Sequence, residues 1–195
     1  MIDVQIKGIE IHLETDPGLF SPKSADRGTL LMLDHVFFSP EDIVLDLGCG
    51  YGLVGIYAAK CIPPGQVYMT DMNPLAVRIT AGNLHQNNVE EITLVQGNAY
   101  EAIDRSDFTL ILSNPPYHSD FAVAKTFIEK GFNRLCINGC FFMVTRRKEW
   151  YKKKFISVFG GVRIREEEGY FIFMAEKKTD SYANTLHHKQ SQIIV

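Results

Sequence analysis

Tryptophan occurs once in this chain of 195 residues, and cysteine only four times. Cys49, Cys61, Cys136 and Cys140 form no C-x-x-C pair and have no histidine pair beside them, so their spacing marks no metal site. Two disulfides would suit a small secreted scaffold; with this much apolar sequence, buried reduced thiols are the expectation. Long hydrophobic runs are missing too, and no stretch reaches the ~20 apolar residues that cross a bilayer. The opening "MIDVQIKGIE" has no basic segment followed by an apolar one, which argues against a signal peptide and makes the cytoplasm the default compartment. No charge of one sign dominates. Twenty Lys and Arg stand against 23 Asp and Glu, a formal net charge of −3, which excludes a polycation seeking nucleic acid through bulk charge. Internal repeats and low-complexity linkers are also absent.

What is present is a globular composition, 46% hydrophobic and 22% charged, over a length that suits one domain. Val4, Ile6, Ile9, Ile11 and Leu13 alternate around Gly8 like a small hairpin. "TDPGLFSPKSADRG" is turn-rich, and "GTLLMLDHVFF" is helical in pattern. From Ile43 a new rhythm begins. Apolar strands ("IVLDLGCG", "QVYMTD", "ITLVQGN", "FTLILS", "GCFFMVT") alternate with helical segments ("LVGIYAAKC", "PLAVRITAGNLHQNN", "FAVAKTFIEKGFNRLC", "KEWYKKKFISVFG"). In the last of these, Trp150, Phe155, Val158 and Phe159 share one side. "GVRIREEE" and "GYFIFMAEK" close the pattern as an antiparallel pair. Such alternation predicts an α/β fold around a mostly parallel sheet covered on both faces. Residues 1–40 read as an N-terminal extension, 41–178 as the core, and 179–195 as a flexible tail of one 1–195 domain. His187 and His188 in that tail lack a third ligand, so no metal is expected.

"DLGCGYGLVG" places Asp46, Gly48, Gly50, Gly52 and Gly55 at a strand end and helix start. Gly50-x-Gly52-x-x-Gly55 fits a dinucleotide fingerprint, so a nicotinamide dehydrogenase is one reading. Asp46 favours another. Its carboxylate would repel a diphosphate but attract an ammonium or sulfonium. Asp71, ending the next strand, can accept ribose hydroxyls in either case, and Asn73 reads as a helix cap before Pro74. Asn98 in "QGNAY" reads equally as a turn or cap residue.

"SNPPYH", residues 113–118, follows the fourth strand. Its prolines fix φ, Asn114 Oδ1 and the Pro115 carbonyl are acceptors, and Tyr117 offers a flat face. Acceptors held rigidly in this way suit a planar amino nitrogen, whose lone pair is delocalised until its N–H groups are held. "RRKEWYKKK", Arg146 to Lys154, packs six cations and two aromatics into nine residues; alone, such a run is usually a solvated helix face.

The order D-x-G-x-G-x-G resembles motif I of class I S-adenosylmethionine-dependent methyltransferases, and "NPPY" resembles motif IV of those that methylate planar amino nitrogens. "TDPGLFSPKSADRGTLLML" resembles the "PGVFS" segment of the RsmC-like ribosomal RNA guanine-N2 methyltransferases. "NPPYH" resembles their "NPPFH", and "VTRRKEWYKKKFISVFGGV" and "GYFIFMAEKK" resemble their final strands and helix. Several segments agree in order, from Thr15 to Lys178. The resemblance implies a Rossmann-like, seven-stranded, mostly parallel sheet with an antiparallel last strand, S-adenosyl-L-methionine as cofactor, and RNA as partner without a membrane. The chain has room for one of the two tandem domains common in that family, and a monomer or homodimer is expected.

Residue by residue, the resemblance implies cofactor contacts from Asp46, Gly48, Cys49, Gly50, Gly52, Asp71, Met72, Asn98, Ala99 and Asn114. It implies a catalytic turn of Asn114, Pro115, Pro116 and Tyr117. Phe20, Ser21, Tyr117, His118, Arg146, Arg147 and Lys148 are the implied base and RNA contacts. Asp120 stands where the family usually has Gly, and can cap the next helix. Methylation of a protein glutamine or adenine N6 uses the same turn and stays open, as does an RNA-binding relic without catalysis.

Overall fold

The computed structural model describes residues 1–115 and 121–182. Pro116, Tyr117, His118, Asp120, His187 and His188, and most of the tail, lie outside the described residues.

The chain starts as a hairpin of β1 (Ile2–Ile6) and β2 (Ile9–Leu13), turning at Lys7–Gly8 with positive φ at both residues, as two-residue hairpins favour. A loop leads to α1 (Arg27–Asp34), followed by β3 (Val44–Leu47), α2 (Leu53–Cys61), β4 (Val67–Asp71), α3 (Pro74–Gln86) and β5 (Thr93–Gln96). The second half runs β6 (Phe108–Ser113), α4 (Phe121–Arg134), β7 (Leu135–Thr145), α5 (Glu149–Phe159), β8 (Arg163–Glu167) and β9 (Tyr170–Glu176).

Seven strands form one sheet in the order β5-β4-β3-β6-β7-β9-β8. Strands β3 to β7 are parallel, and β9 runs antiparallel to both β7 and β8. The strands are apolar on both sides because both faces are covered. Leu110 and Leu112 join the core beneath α1, α2 and α3, while Ile111 between them joins the core beneath α4 and α5. The N-terminal hairpin buries Ile2, Ile6, Ile11 and Leu13 in the first of these cores. The chain order reverses between β3 and β6, and at such switch points the strand ends leave a crevice.

Three expectations are corrected. The helix read through Cys136 ends at Arg134, because Leu135 pairs with Phe108 and opens β7. That strand is longer than "GCFFMVT", with Asn138 at φ +67 where the register with β6 shifts. In α5, Phe155, Val158 and Phe159 are buried together as expected and Tyr151 joins them, while half-buried Trp150 packs against the same core and stacks on Phe121 at 4.5 Å. The helix read through "HVFF" stops at Asp34, where the Lys7 ammonium donates to the Leu33 and Val36 carbonyls, each at 3.0 Å.

Candidate active site

A cavity of about 620 Å³ opens at the C-terminal ends of β3, β4 and β6. Its floor is the glycine loop between β3 and α2. Gly48 and Cys49 donate from their backbone N–H groups to the Thr70 carbonyl at 2.9 and 3.0 Å, which ties the loop to β4. Gly50 donates to Asp71 Oδ2 at 2.9 Å, and its carbonyl accepts from Thr80 Oγ1 at 2.9 Å. Gly50 at φ +59 and Gly52 at φ +96 lie in the left-handed region that a side chain disfavours. Asn83, fully buried on α3, donates to the Tyr51 carbonyl at 2.8 Å and to the Glu14 carbonyl at 2.9 Å. It also accepts from Glu14 N, so one side chain ties the loop to the end of the hairpin.

Asp46 lines the cavity while only 2% exposed. Its Oδ2 accepts from Gly55 N at 2.9 Å, so it braces the first turn of α2 as well as charging the pocket. Burial pushes its carboxyl up to about 7, the Asp71 charge adds to this, and the Gly55 N–H opposes it. Asp71 lines the cavity and uses both oxygens on backbone, Oδ2 on Gly50 N and Oδ1 on Asn73 N, each at 2.9 Å, so each oxygen retains further acceptor capacity. Asn73 is the N-cap of α3, accepting from Leu75 N.

The cavity brings together Asp46, Gly48, Cys49, Gly50, Asp71, Met72, Asn98, Ala99, Asn114, Pro115 and Phe20. Met72 is 70% exposed and Phe20 43%, so both stand at the rim and Phe20 is not a core residue. Asn98 is exposed and reaches Glu101 at 3.4 Å, leaving buried Ala99 at φ +57 as the turn that meets the pocket. Gly52 is outside the lining; it is the N-cap of α2, and it shapes the loop rather than touching the space. Ser21 is also outside, its hydroxyl donating to the Ser24 carbonyl.

Arg146, Arg147 and Lys148 follow β7 on the same sheet edge but do not line the cavity. Each lies over an aromatic ring: Arg146 over Tyr170 at 4.6 Å, Arg147 over Phe121 at 5.0 Å, and Lys148 over Phe171 at 5.1 Å. Lys148 is also paired with Glu166 at 3.1 Å. Rings beneath the cations fix them in place.

Sequence reasoning missed several groups. Thr70, α4 residues Ala122, Val123, Thr126 and Phe127, and Asp26 and Thr29 of α1 all line the space. The α4 residues were visible only as one apolar helix face. Asp26 fell in the turn-rich "TDPGLFSPKSADRG" and Thr29 in the helical "GTLLMLDHVFF", and nothing in the chain tied them to Asn114. Asn114 Nδ2 donates to Asp26 Oδ2 at 2.8 Å and lies 2.7 Å from Thr29 Oγ1. Among the described residues two buried polar side-chain atoms have no partner, Thr70 Oγ1 and Asn114 Oδ1, and both belong to residues lining this one cavity. Buried polar groups rarely go unpaired, which sets these two atoms apart from the rest of the described interior.

A seven-stranded sheet with an antiparallel β9 and a glycine loop after β3 define the class I methyltransferase fold, with the sequence Asn-Pro-Pro following β6. Residues 10–174 match the family described as the methyltransferase small domain, and the chain belongs to that family. An uncharacterized protein of Bacillus subtilis, YbxB, is 29% identical over 180 residues, covering 89% of each chain. Ribosomal RNA small subunit methyltransferase C of Psychromonas ingrahamii is 30% identical over 172 residues, covering 86% of this chain and 49% of its own. A solved structure, the T. thermophilus 16S rRNA N2 G1207 methyltransferase (RsmC) in complex with AdoMet and guanosine, superposes with a TM-score of 0.81. It is 26% identical and covers 90% of this chain and 50% of that one. The chain thus spans about half the length of these methyltransferase C relatives, and nearly all of YbxB.

Proposed function

We propose that this protein is an S-adenosylmethionine-dependent N-methyltransferase acting on the exocyclic N2 of a guanine in ribosomal RNA. The observation that carries the reading is Asn114. Its amide nitrogen is tied back to α1, and its oxygen is a buried acceptor without a partner, in a residue that lines the cavity. An acceptor so placed suits a substrate that brings N–H groups. The RsmC structure that binds AdoMet and guanosine shares this fold at 26% identity, which supports guanine over adenine or a glutamine amide.

The residues present fit the cofactor. The buried Asp46 carboxylate suits its ammonium group, the Asp71 oxygens suit ribose hydroxyls, and Met72 and Ala99 supply apolar walls for an adenine. When bound, S-adenosylmethionine would supply an electrophilic methyl group on a sulfonium centre, whose transfer to the amine forms the N–C bond as the S–C bond breaks and a neutral thioether leaves. The chain's part is to prepare the amine. Asn114 Oδ1 and the Pro115 carbonyl accept its hydrogens, which favours a pyramidal nitrogen with its lone pair out of the ring; the surplus proton then leaves to solvent.

Pro115 is buried, and its fixed φ holds the carbonyl without a reorganisation cost at the moment of reaction. A base inside a helix cannot reach such a cavity, so the target is single-stranded or flipped out. Exposed Phe20 at the rim is placed to cover it, and Arg146 and Arg147 to hold flanking phosphates. No helix among the described residues is long and apolar enough to cross a membrane, and the compartment that goes with ribosomal RNA is the cytoplasm.

Labelled methyl transfer to undermodified ribosomal RNA and to release-factor protein, side by side, tests the reading. Label in N2-methylguanosine is the expected result. Label in protein alone, or in N6-methyladenosine, overturns it.

A further inference from the structure

We propose that Asp26 and Thr29 are positioning residues that hold the Asn114 amide with its oxygen, rather than its nitrogen, toward the substrate amine. The inference rests on the reading above, in which Asn114 Oδ1 accepts from that amine. An asparagine amide is nearly symmetric in shape, and a half-turn about its last bond exchanges acceptor for donor. A donor facing an amine would leave the N–H hydrogens unheld. The ring of Pro115 restricts the backbone beside Asn114, but it does not decide that half-turn.

The neighbours from α1 decide it. A carboxylate only accepts, and Asp26 Oδ2 lies 2.8 Å from Asn114 Nδ2. Thr29 Oγ1 lies 2.7 Å from the same nitrogen, and its own hydrogen is directed to Asp26 Oδ2 at 3.3 Å. Both amide hydrogens are therefore used, one on each partner. The flipped amide would set Oδ1 against the carboxylate, oxygen against oxygen in a buried place.

The partners are themselves fixed. Asp26 is the N-cap of α1 and accepts from Thr29 N at 2.9 Å, and both residues are buried. The Tyr170 ring lies against the first turn of α1 so closely that a Cβ on Gly28 would come within 2.6 Å of it. The helix is thereby seated on β9, the strand next to β7. Its N-terminus cannot drift from Asn114 without unpacking that contact. The anchors lie 88 and 85 residues from Asn114 in the chain.

Asp26→Ser retains an N-cap hydroxyl but is too short to reach Asn114, and Thr29→Val retains shape without the acceptor. Each is expected to lower kcat about ten- to a hundredfold, the size of a lost buried hydrogen bond to an oriented group. S-adenosylhomocysteine affinity by calorimetry should fall much less than kcat, because the anchors bond to Asn114 and are not the groups assigned to the cofactor's ammonium and ribose. Thr29→Ser, which retains the hydroxyl, should restore the rate.

In an Asn114→Ala background, Asp26→Ser should cost nothing further, since it acts through the amide that has been removed. A second readout is independent of turnover. The Nδ2 hydrogens of 15N-labelled Asn114 should exchange slowly with solvent in the parent and rapidly in Asp26→Ser. Parent-like kcat and parent-like exchange in both anchor variants would overturn the proposal, and so would costs that add in full to Asn114→Ala. Protected amide hydrogens in a protein that methylates no guanine would instead sink the substrate reading and leave the anchor standing.

Discussion

The two sides of the cavity are held by different means. The glycine-loop side is built mainly from backbone groups that pair over short spans, Gly48 and Cys49 with Thr70, Gly50 with Asp71, and Gly52 with Cys49. The Asn114 side depends on side chains from a helix 85 or more residues away. The first side presents a cradle whose shape is set by glycine torsions and by Asn83 beneath it. The second presents one acceptor atom whose identity is set by a carboxylate. A loop made of backbone binds; an oriented side chain is what the chemistry can be tuned through.

Asn114→Ala should break the second side alone. Its kcat for methyl transfer is expected to fall by about 10²–10³-fold, as when one oriented polar group is removed from an active site, with S-adenosylhomocysteine affinity little changed. A large loss of that affinity would show that the two sides are not separable. Gly52→Ala should break the first side. At φ +96 a Cβ would be strained and would sit 2.9 Å from Thr80 Cγ2, so destabilisation of about 1–3 kcal/mol and a lower melting temperature are expected. Weaker S-adenosylhomocysteine binding should accompany it.

Asp46 sharpens the contrast through pH. Its carboxyl is raised from 3.8 to about 7 in the folded protein, chiefly by burial. The folded state therefore holds a proton that the unfolded state has lost, and the stability from this group is present at low pH and is lost as pH rises toward about 7. Thermal melts of the free protein should show that decline relative to Asp46→Asn. The stabilisation by S-adenosylhomocysteine should grow over the same range, as the ionised carboxylate meets an ammonium group. A flat difference between parent and Asp46→Asn would contradict the assignment.

The smallest effect is expected outside both sides. Arg147→Ala should weaken RNA binding modestly and lower the salt-dependence slope by about 0.7–0.9, while leaving cofactor affinity unchanged.

The contrast also explains what could be read from the chain. Strand and helix order was legible from Ile43 onward because apolar runs and glycine stops are local signals. Asp46, Gly50 and Asp71 were legible because the loop is built within one β-α-β unit. Asn114 and Pro115 stood out as an odd turn after an apolar strand. The anchors were not legible: Asp26 lies in a turn-rich stretch, and it is the packing of α1 on β7 and β9, with Tyr170 against Gly28, that brings it to Asn114. Asn83 and Asn87 were likewise hidden. Asn83 on α3 and Asn87 at its C-cap stand one turn apart, look like ordinary polar residues, and prove to clamp Glu14 and His12 of the N-terminal segment. The start of β7 was missed because the helical apolar spacing of α4 runs on through Leu135 and Cys136, and only the pairing of Leu135 with Phe108 ends the helix at Arg134.

The central claim is that an oriented Asn114 oxygen serves methylation of guanine N2 in ribosomal RNA. The most direct measurement compares methylated nucleosides in ribosomal RNA from a strain lacking this gene, complemented either with the parent or with Asn114→Ala. Loss of one N2-methylguanosine on deletion, restored by the parent and not by Asn114→Ala, is the predicted result. An unchanged set of N2-methylguanosines on deletion, or full restoration by Asn114→Ala, would contradict it.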